Sequence, residues 1–319
     1  MYITASSTIS HQPTFRNKGF SSELIELPQS SDVFHPDYAS FIPTVNRRRM
    51  SDVLKMAITC TTDCIEQTGR KQPGAIIVGT SMGCNTFTKK FLDKINASKG
   101  GLLSPTSFTL SPHNTIAGQI SLLLGNHNYN MTHTQNSLSF EQALIDAIMC
   151  IKDGCNTVLV GAADEHEGGL YSMDARLNSN DIHHTFGASF FIISTTKPNT
   201  PPSIKLIEVG SFGLMIDPIQ SINDFLNSNE LSVKDIDLVL YSNSHQNTLL
   251  ELSKFFKETK LFDIQKISGT YFTNSAFAMH FGVDVLLQKE HAFFGQNIKR
   301  VLICNNLISE NLGLIFLEK

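Results

Sequence analysis

The sequence contains no tryptophan, and only 17% of its 319 residues carry a charged side chain. It also lacks long apolar runs, and none approaches the ~20 residues that a membrane-spanning helix needs. The first residues, Met1–Ala5, do not form the basic stretch followed by an apolar one that is typical of a signal peptide. We therefore predict a cytoplasmic protein with no membrane span.

Positive charge is scarce as well. The formal net charge is −4, and the sequence shows no basic stripe of the kind that binds nucleic acid. One dense basic cluster, Arg47–Arg49, precedes a predicted helix, and we interpret it as a solvated or interface patch rather than a polyanion site. The composition therefore argues against nucleic acid as a partner.

The six cysteines are scattered, and no two of them form a CxxC pair. Their spacing matches neither a zinc site nor a disulfide framework, so we predict reduced, mostly buried thiols. His183 and His184 lie near Asp181, but we predict that this stretch is a surface loop rather than a metal site. We expect neither a metal nor a cofactor from these patterns.

What the sequence does have is a regular alternation of short apolar strands and helices. Hydrophobic residues make up 41% of the chain, which is enough for a sizeable core. Ala75–Gly79 and Thr157–Ala162 are continuous apolar runs, typical of strands that are covered on both faces. Between them lie segments with helical periodicity, and the helix Ser51–Thr68 precedes both. This alternation predicts an α/β fold with right-handed crossovers.

The order of elements is repeated along the chain. The Pro-rich segment 197–202 is the clearest break in composition, and the succession of strands and helices begins again after it. We therefore predict two halves, residues 1–200 and 201–319. The other predicted strands are Tyr2–Ile9, Asn130–Thr134, Ala188–Ser194, Ile204–Val209, Asp237–Tyr241, Arg300–Cys304 and Gly313–Leu317, and the other predicted helices are Asn85–Ile95, Asn114–Leu124, Phe140–Lys152, Ile219–Leu226, Thr248–Lys257 and Ser275–Gln288.

One stretch of the first half is more specific. Pro105–Phe108, Asn114–Gln119, Ser139–Ala147 and Val158–Glu165 occur in the order and spacing of the N-terminal half of β-ketoacyl-ACP synthases. The chain resembles that family over most of residues 1–195, and it is most similar to shorter, chain-length-factor-like members. Some of these are associated with the synthesis of aryl-polyene and flexirubin-type pigments.

The resemblance implies a thiolase fold, in which two pseudo-equivalent halves form an α-β-α-β-α layered sandwich that is usually dimeric. In the second half, Thr273–Met279 is the best match. Condensing chemistry in this family needs two His residues and a Cys thiolate at a helix N-terminus, where the helix dipole lowers the thiol pKa. The corresponding elbow here, Thr134–Ser139, contains no Cys.

Three residues compete for the role of the missing Cys. Counting from the family's Thr-x-Cys pattern places Asn136 at the nucleophile position, whereas counting back from Gly154 places Ser137 there. Asn cannot act as a nucleophile, and Ser would need a base to remove its proton. Chain-length factors carry Gln at the Cys position, so the neighbouring Gln135 could bind a carbonyl group or could simply satisfy backbone groups. Cys84, at a helix start, could be a substitute nucleophile, but we favour the interpretation that it is a small buried thiol.

The two His positions of the family are altered as well. Strict counting places the first on Ser244, with His245 one residue later, and the second is replaced by Thr270 after Gly269. Asn305–Ser309 stands where the family has a Gly-rich loop. Bulkier residues there indicate a closed or reshaped pocket, because Gly lets the backbone approach a substrate closely.

We therefore predict a catalytically silent ketosynthase-like subunit. It would pair with an active ketosynthase and help to set the length of an acyl chain carried on an acyl carrier protein. Two alternatives stay open: a ketosynthase-like acyltransferase, hydrolase or decarboxylase that uses Ser137 or Gln135 with His245, and a stand-alone homodimeric scaffold.

Overall fold

The computed structural model describes residues 1–25, 27, 31–69, 72–98, 100–101, 103, 105–165, 184–198, 202–213, 217–243, 246–296 and 298–319. The strands of this part of the chain are β1 (Tyr2–Ile9), β2 (Ala75–Gly79), β3 (Tyr129–His133), β4 (Thr157–Asp164), β5 (Gly187–Ser194), β6 (Ile204–Gly213), β7 (Leu238–Asn243), β8 (Lys260–Asp263), β9 (Glu290–His291), β10 (Gly295–Gln296), β11 (Arg300–Asn306) and β12 (Asn311–Glu318).

The α-helices of the same residues connect these strands. They are α1 (Thr44–Arg47), α2 (Asp52–Thr68), α3 (Asn85–Ser98), α4 (Pro105–Thr109), α5 (Thr115–Leu124), α6 (Ser139–Lys152), α7 (Pro218–Ser228), α8 (Gln246–Phe255), α9 (Gln265–Ser268) and α10 (Asn274–Leu287).

One mixed sheet contains ten of the described strands, in the order β3-β2-β4-β5-β1-β6-β12-β11-β7-β8. Strand β2 is parallel to β3 and β4, and strand β7 is likewise parallel to β8 and β11. Read outward from the centre, the second half therefore repeats the strand order of the first. The two sets join where β1 pairs antiparallel with β6 through Tyr2–Lys205 and Ile3–Ile204. This topology confirms the predicted α/β fold of two pseudo-equivalent halves.

Side chains of the sheet alternate between different cores, as the two-residue period of a strand requires. In β2, Ile76 and Val78 face an outer core that includes α2 and α5, whereas Ala75 and Ile77 face a central core. In the second half, Leu302 of β11 faces a separate outer core formed with α7 and α8. Helices α6 and α10 lie in the central core, so the layers follow the predicted α-β-α-β-α order.

Local residue types explain where helix α2 begins and ends, and burial explains the composition of helix α10. Helix α2 begins after Ser51 and ends at Gly69, whose φ of 63° is the left-handed conformation that glycine adopts readily. Ser51 occupies the N-cap position, but its side chain makes no capping hydrogen bond to the helix. Helix α10 is buried on all sides from Asn274 to Leu286, as expected of a helix enclosed between the two halves of this sheet.

The sequence patterns miss the shortest elements. Strand β8 has four residues, and the hairpin of β9 and β10 pairs two residues on each side. Such segments are too short for a periodic pattern, and β8 forms because β7 offers it a parallel partner. No helix among the described residues has both the length and the apolar character needed to cross a membrane.

Candidate functional site

The chain turns sharply between β3 and α6. Residues Asn136–Leu138 form a single 3-10 turn there, and Asn136 has a φ of 48°, a left-handed conformation that Asn tolerates better than most residues. The hydroxyl of Ser139 accepts a hydrogen bond from the Gln135 N–H at 2.8 Å and donates one to the Asn136 carbonyl at 2.7 Å. The sequence therefore builds an elbow at the predicted place, with Gln135 and Asn136 exposed on it.

Ser137 follows the exposed elbow residues and points inward. Its side chain is buried, and its Oγ accepts a hydrogen bond from Asn311 Nδ2 at 3.1 Å. Its carbonyl accepts one from Asn305 Nδ2 at 2.7 Å. None of the described residues places a basic group in hydrogen-bond contact with this hydroxyl. Ser137 therefore has no activating base in this geometry.

The remaining predicted site residues are not gathered at the elbow by any described contact. Thr270 is half-buried, its Oγ1 accepts a hydrogen bond from Gln265 Nε2 at 2.9 Å, and its carbonyl accepts one from the Thr185 N–H at 3.1 Å. Ser244 and His245 lie outside the described residues. Thr270 thus serves as a packing and hydrogen-bonding residue at the junction before α10.

A buried acid lies directly behind the elbow. Glu141, in the first turn of α6, is fully buried, and its Oε1 accepts a hydrogen bond from Asn305 Nδ2 at 2.8 Å. Burial raises the pKa of Glu141 to about 7, although hydrogen bonds from Asn305 and Ser275 act in the opposite direction. The carboxyl fits because position 313 of β12 is glycine, and a Cβ atom there would overlap it. Sequence reasoning missed this residue, since a single Glu in a helix usually faces solvent.

A second buried acid joins the two halves. Asp164 ends β4, and its Oδ1 accepts hydrogen bonds from the Thr80 hydroxyl and from the N–H groups of Ser81 and Met82, at 2.9 to 3.0 Å. Its Oδ2 accepts one from the Thr273 hydroxyl at 2.9 Å, just before α10. Burial raises the pKa of Asp164. The one hint in the sequence is its position at the end of a buried parallel strand, where polar site residues collect.

The thiols behave as packing groups. All six cysteines are free, and Cys84 is completely buried, with its pKa raised by burial. A reactive cysteine needs the opposite, an accessible thiol with a lowered pKa.

Among the described residues no cluster of three or more His, Cys, Asp or Glu side chains could hold a metal ion, and His183 and Asp181 lie outside these residues.

The outer edge of the sheet at β3 carries exposed apolar groups. Tyr129 and Met131 are exposed, and so is Met149 of the neighbouring helix α6. His133 Nε2 lies 2.8 Å from Asp146 Oδ2, a hydrogen bond that links the strand to α6. This edge is a strand with one open side, and open strand edges readily pair with another chain.

A cleft of about 690 Å³ opens on the outer face of the first half. Arg49 and Met50 line one side, and Pro105 and Leu122 line another. The three guanidinium groups of Arg47–Arg49 make no salt bridge within the described part of the chain. Arg49 therefore gives this cleft a positive charge, and Arg48 is exposed next to it in the chain, although the chain as a whole is acidic.

The family model described as "Beta-ketoacyl synthase, N-terminal domain" matches residues 25–192. No curated protein sequence matches the chain significantly.

Solved structures match over nearly the whole chain. One is titled "The ishigamide ketosynthase/chain length factor", with a TM-score of 0.77, 13% identity, and coverage of 99% of this chain and 98% of that chain. Another is the ketosynthase ApeO in complex with its chain length factor ApeC from Xenorhabdus doucetiae, with a TM-score of 0.76, 14% identity, and coverage of 99% and 97%. A third is a beta-ketoacyl synthase from Burkholderia phymatum STM815, with a TM-score of 0.71, 12% identity, and coverage of 100% and 98%. At these identities the likeness establishes the fold.

Proposed function

Because the chain belongs to the β-ketoacyl synthase family, we propose that it acts as a non-condensing partner of an active ketosynthase. The observation that carries this proposal is the elbow, which has Gln135, Asn136 and Ser137 where condensation needs a Cys thiolate. The Ser137 hydroxyl is bonded to the Asn311 amide rather than to a base. A subunit of this kind would help to limit how far the acyl chain extends. That role needs the scaffold and not the nucleophile.

The pairing surface in this proposal is the open edge of β3. The carbonyl of His133 accepts a hydrogen bond from the Thr80 N–H, on the β2 side of the strand. Successive residues of a parallel strand alternate in direction, so the backbone N–H of the preceding residue, Thr132, faces the open edge. The Thr132 hydroxyl is also buried without a partner among the described residues. A strand from a second subunit would satisfy the open backbone groups and cover the exposed Met131.

The active ketosynthase is the favoured second subunit, and a homodimer would form in its absence. We place the carrier protein at the 690 Å³ cleft, because Arg47–Arg49 are cations without an ion pair in the described part of the chain. We further propose a cytoplasmic pathway of the aryl-polyene type. This rests on the residue pattern of Pro105–Phe108 and Val158–Glu165.

The decisive experiment is co-expression with a candidate ketosynthase from the same genome. We expect the two chains to copurify, and we expect the products to differ in length from those of the ketosynthase alone. The isolated chain should not condense acyl-ACP with malonyl-ACP. Turnover that is lost on Ser137→Ala would instead establish an enzyme, and a failure to copurify would remove the partner role.

A further inference from the structure

A second cleft, of about 540 Å³, lies where the two halves separate beside β1. Strand β6 begins at Ile204 and pairs only with Tyr2 and Ile3, so the rest of that edge of β1 has no strand beside it among the described residues. The Gln67 side chain of α2 pairs with β1 instead, donating to the Ser6 carbonyl at 2.9 Å and accepting from its N–H at 3.3 Å. None of the residues that line this cleft belongs to the elbow.

One face of α10 forms a wall of this cleft. Residues three and four apart lie on the same face of a helix. The lining residues of this helix have that spacing, and they are His280, Val283, Asp284 and Leu287. Val283 and Leu287 are apolar, so the wall offers a hydrocarbon surface beside two polar side chains.

His280 is buried, with only 8% of the residue exposed, yet one of its ring nitrogens has no protein partner. Its Nδ1 lies 2.8 Å from Thr8 Oγ1, and the Thr8 hydroxyl donates to Ser189 Oγ at 2.8 Å. The Thr8 oxygen therefore accepts from Nδ1–H, which leaves the lone pair on Nε2. No described residue donates to Nε2, although His280 lines the cleft. Burial lowers the pKa of His280, which keeps the ring neutral at neutral pH.

The charges around this ring are mainly negative. Asp63 of α2 and Asp284 of α10 are buried, and both carboxylates act on His280. Arg16 pairs with Asp63 at 2.7 Å, but it also contacts the carboxylate of Glu66. One guanidinium therefore faces three carboxylates, and a cation is the favoured ligand.

The two other groups that decide the charge of the cleft are Asp284 and Lys18. The Asp284 carboxylate accepts only from neutral donors, which are the N–H groups of Gly19 and Ser21, the Ser21 hydroxyl and the Gln288 amide. Lys18 lines the cleft but is exposed, so water and salt screen its charge. The buried end of the cleft therefore keeps its negative charge.

We propose that this cleft binds a small aliphatic amine in its protonated form. One ammonium N–H donates to His280 Nε2, and the positive charge lies near Asp63 and Asp284. The hydrocarbon part packs against Val283 and Leu287. A volume of 540 Å³ is in the range of small-molecule sites. An anion would be repelled by the carboxylates, and a ligand without an N–H or O–H group would leave Nε2 without a donor.

The test uses n-butylammonium chloride and the isolated full-length chain, so its result is separate from any failure of the pairing proposal. In ¹H–¹⁵N NMR with labelled histidine, the free protein should carry the His280 ring proton on Nδ1. Butylammonium should shift the Nε2 signal in a saturable manner. His280→Asn should abolish this response, because Asn can still donate to Thr8 but has no acceptor at the Nε2 position. A ring proton on Nε2, or a signal that butylammonium leaves unchanged, would overturn the proposal.

Two matched probes separate the contributions of charge and hydrogen bonding. Butyltrimethylammonium keeps the charge and the chain but has no N–H, and 1-butanol keeps a donor but has no charge. Each should bind at least about tenfold more weakly than butylammonium. Equal binding of butylammonium and butyltrimethylammonium would show that Nε2 does not accept from the ligand.

A variant on the cleft wall keeps the proposal testable if His280→Asn folds poorly. Leu287 lines the cleft and is 43% exposed, so Leu287→Lys should fold. The added cation should weaken butylammonium binding on the order of tenfold. Leu287→Met, which keeps the size and the apolar character, should bind as the wild type does. If both variants bind butylammonium equally, this cleft is not the amine site.

Discussion

Gly313 and Glu141 depend on each other: a Cβ atom on Gly313 would overlap the Glu141 carboxyl. Gly313→Ala should therefore lower the free energy of unfolding by about 1–3 kcal/mol through overpacking. In the Glu141→Ala background the same change should cost less, because the carboxyl is gone.

Gly118→Ala in α5 is the matched control, since nothing lies within 4 Å of its added Cβ. That control should stabilise the chain by about 0.5–1 kcal/mol, as an interior helix Gly→Ala change does. Equal costs of Gly313→Ala in both backgrounds, measured by urea denaturation, would contradict the packing argument.

The raised pKa of Glu141 makes stability depend on pH. The unfolded carboxyl loses its proton near its ordinary pKa of 4.5 and the folded one only near 7, so the folded state binds more protons between these values. Stability should therefore fall as pH rises through this range, by roughly 3 kcal/mol for this group. Glu141→Gln should remove that part of the slope. An identical pH dependence in wild type and Glu141→Gln would show that the carboxyl is ionised in the folded state.

Thr132→Pro should weaken subunit pairing with little loss of folded stability. Proline removes the backbone N–H of Thr132, which points away from β2 by the alternation of β3 and has no hydrogen-bond partner in the described part of the chain. Its loss should therefore weaken the pairing with a second subunit. Thr132→Val keeps the N–H and should still pair. Sedimentation of each variant, alone and with the ketosynthase, measures the effect. A wild-type chain that stays monomeric in both conditions would contradict the assigned edge.

Charge reversal at Arg48 and Arg49 should weaken carrier-protein binding on the order of tenfold at low salt, because both side chains are exposed and Arg49 lines the cleft. The difference from wild type should shrink as salt screens the interaction. Lys152→Glu, an exposed cation on α6, serves as the control for a general charge effect. Equal weakening by this control in a binding titration would remove the cleft from the docking proposal.

The folded chain should react slowly with thiol reagents. Cys60, Cys64, Cys84 and Cys304 are buried, whereas Cys150 and Cys155 are partly accessible. We expect at most two thiols to react before unfolding, and Cys150 should be slow because burial and Asp146 raise its pKa to about 11. Mass spectrometry would assign the sites. A stoichiometric adduct on Cys84 in the folded protein would make it a candidate acyl acceptor.

Much of the fold could be predicted from local pattern. The apolar run Ala75–Gly79 is β2, and Gly69 ends α2, since both signals lie within one element. The candidate site could be predicted only in part. The absence of a Cys at the elbow is visible in the sequence, but the contact between Asn305 and Glu141 is not. Those residues lie in different halves, and no local pattern indicates that β11 brings an amide to the first turn of α6.

The place of β1 in the middle of the sheet has a consequence for how the protein is made. This strand is translated well before both of its neighbours in the sheet, because β5 begins only at Gly187 and β6 at Ile204. During synthesis on the ribosome, both edges of β1 therefore stay unpaired until most of the first half has emerged. Such long-range pairing slows folding and leaves an edge open to wrong partners. Nascent chains should therefore depend on chaperones, or on slow synthesis, until β5 closes against Tyr2–Ile9.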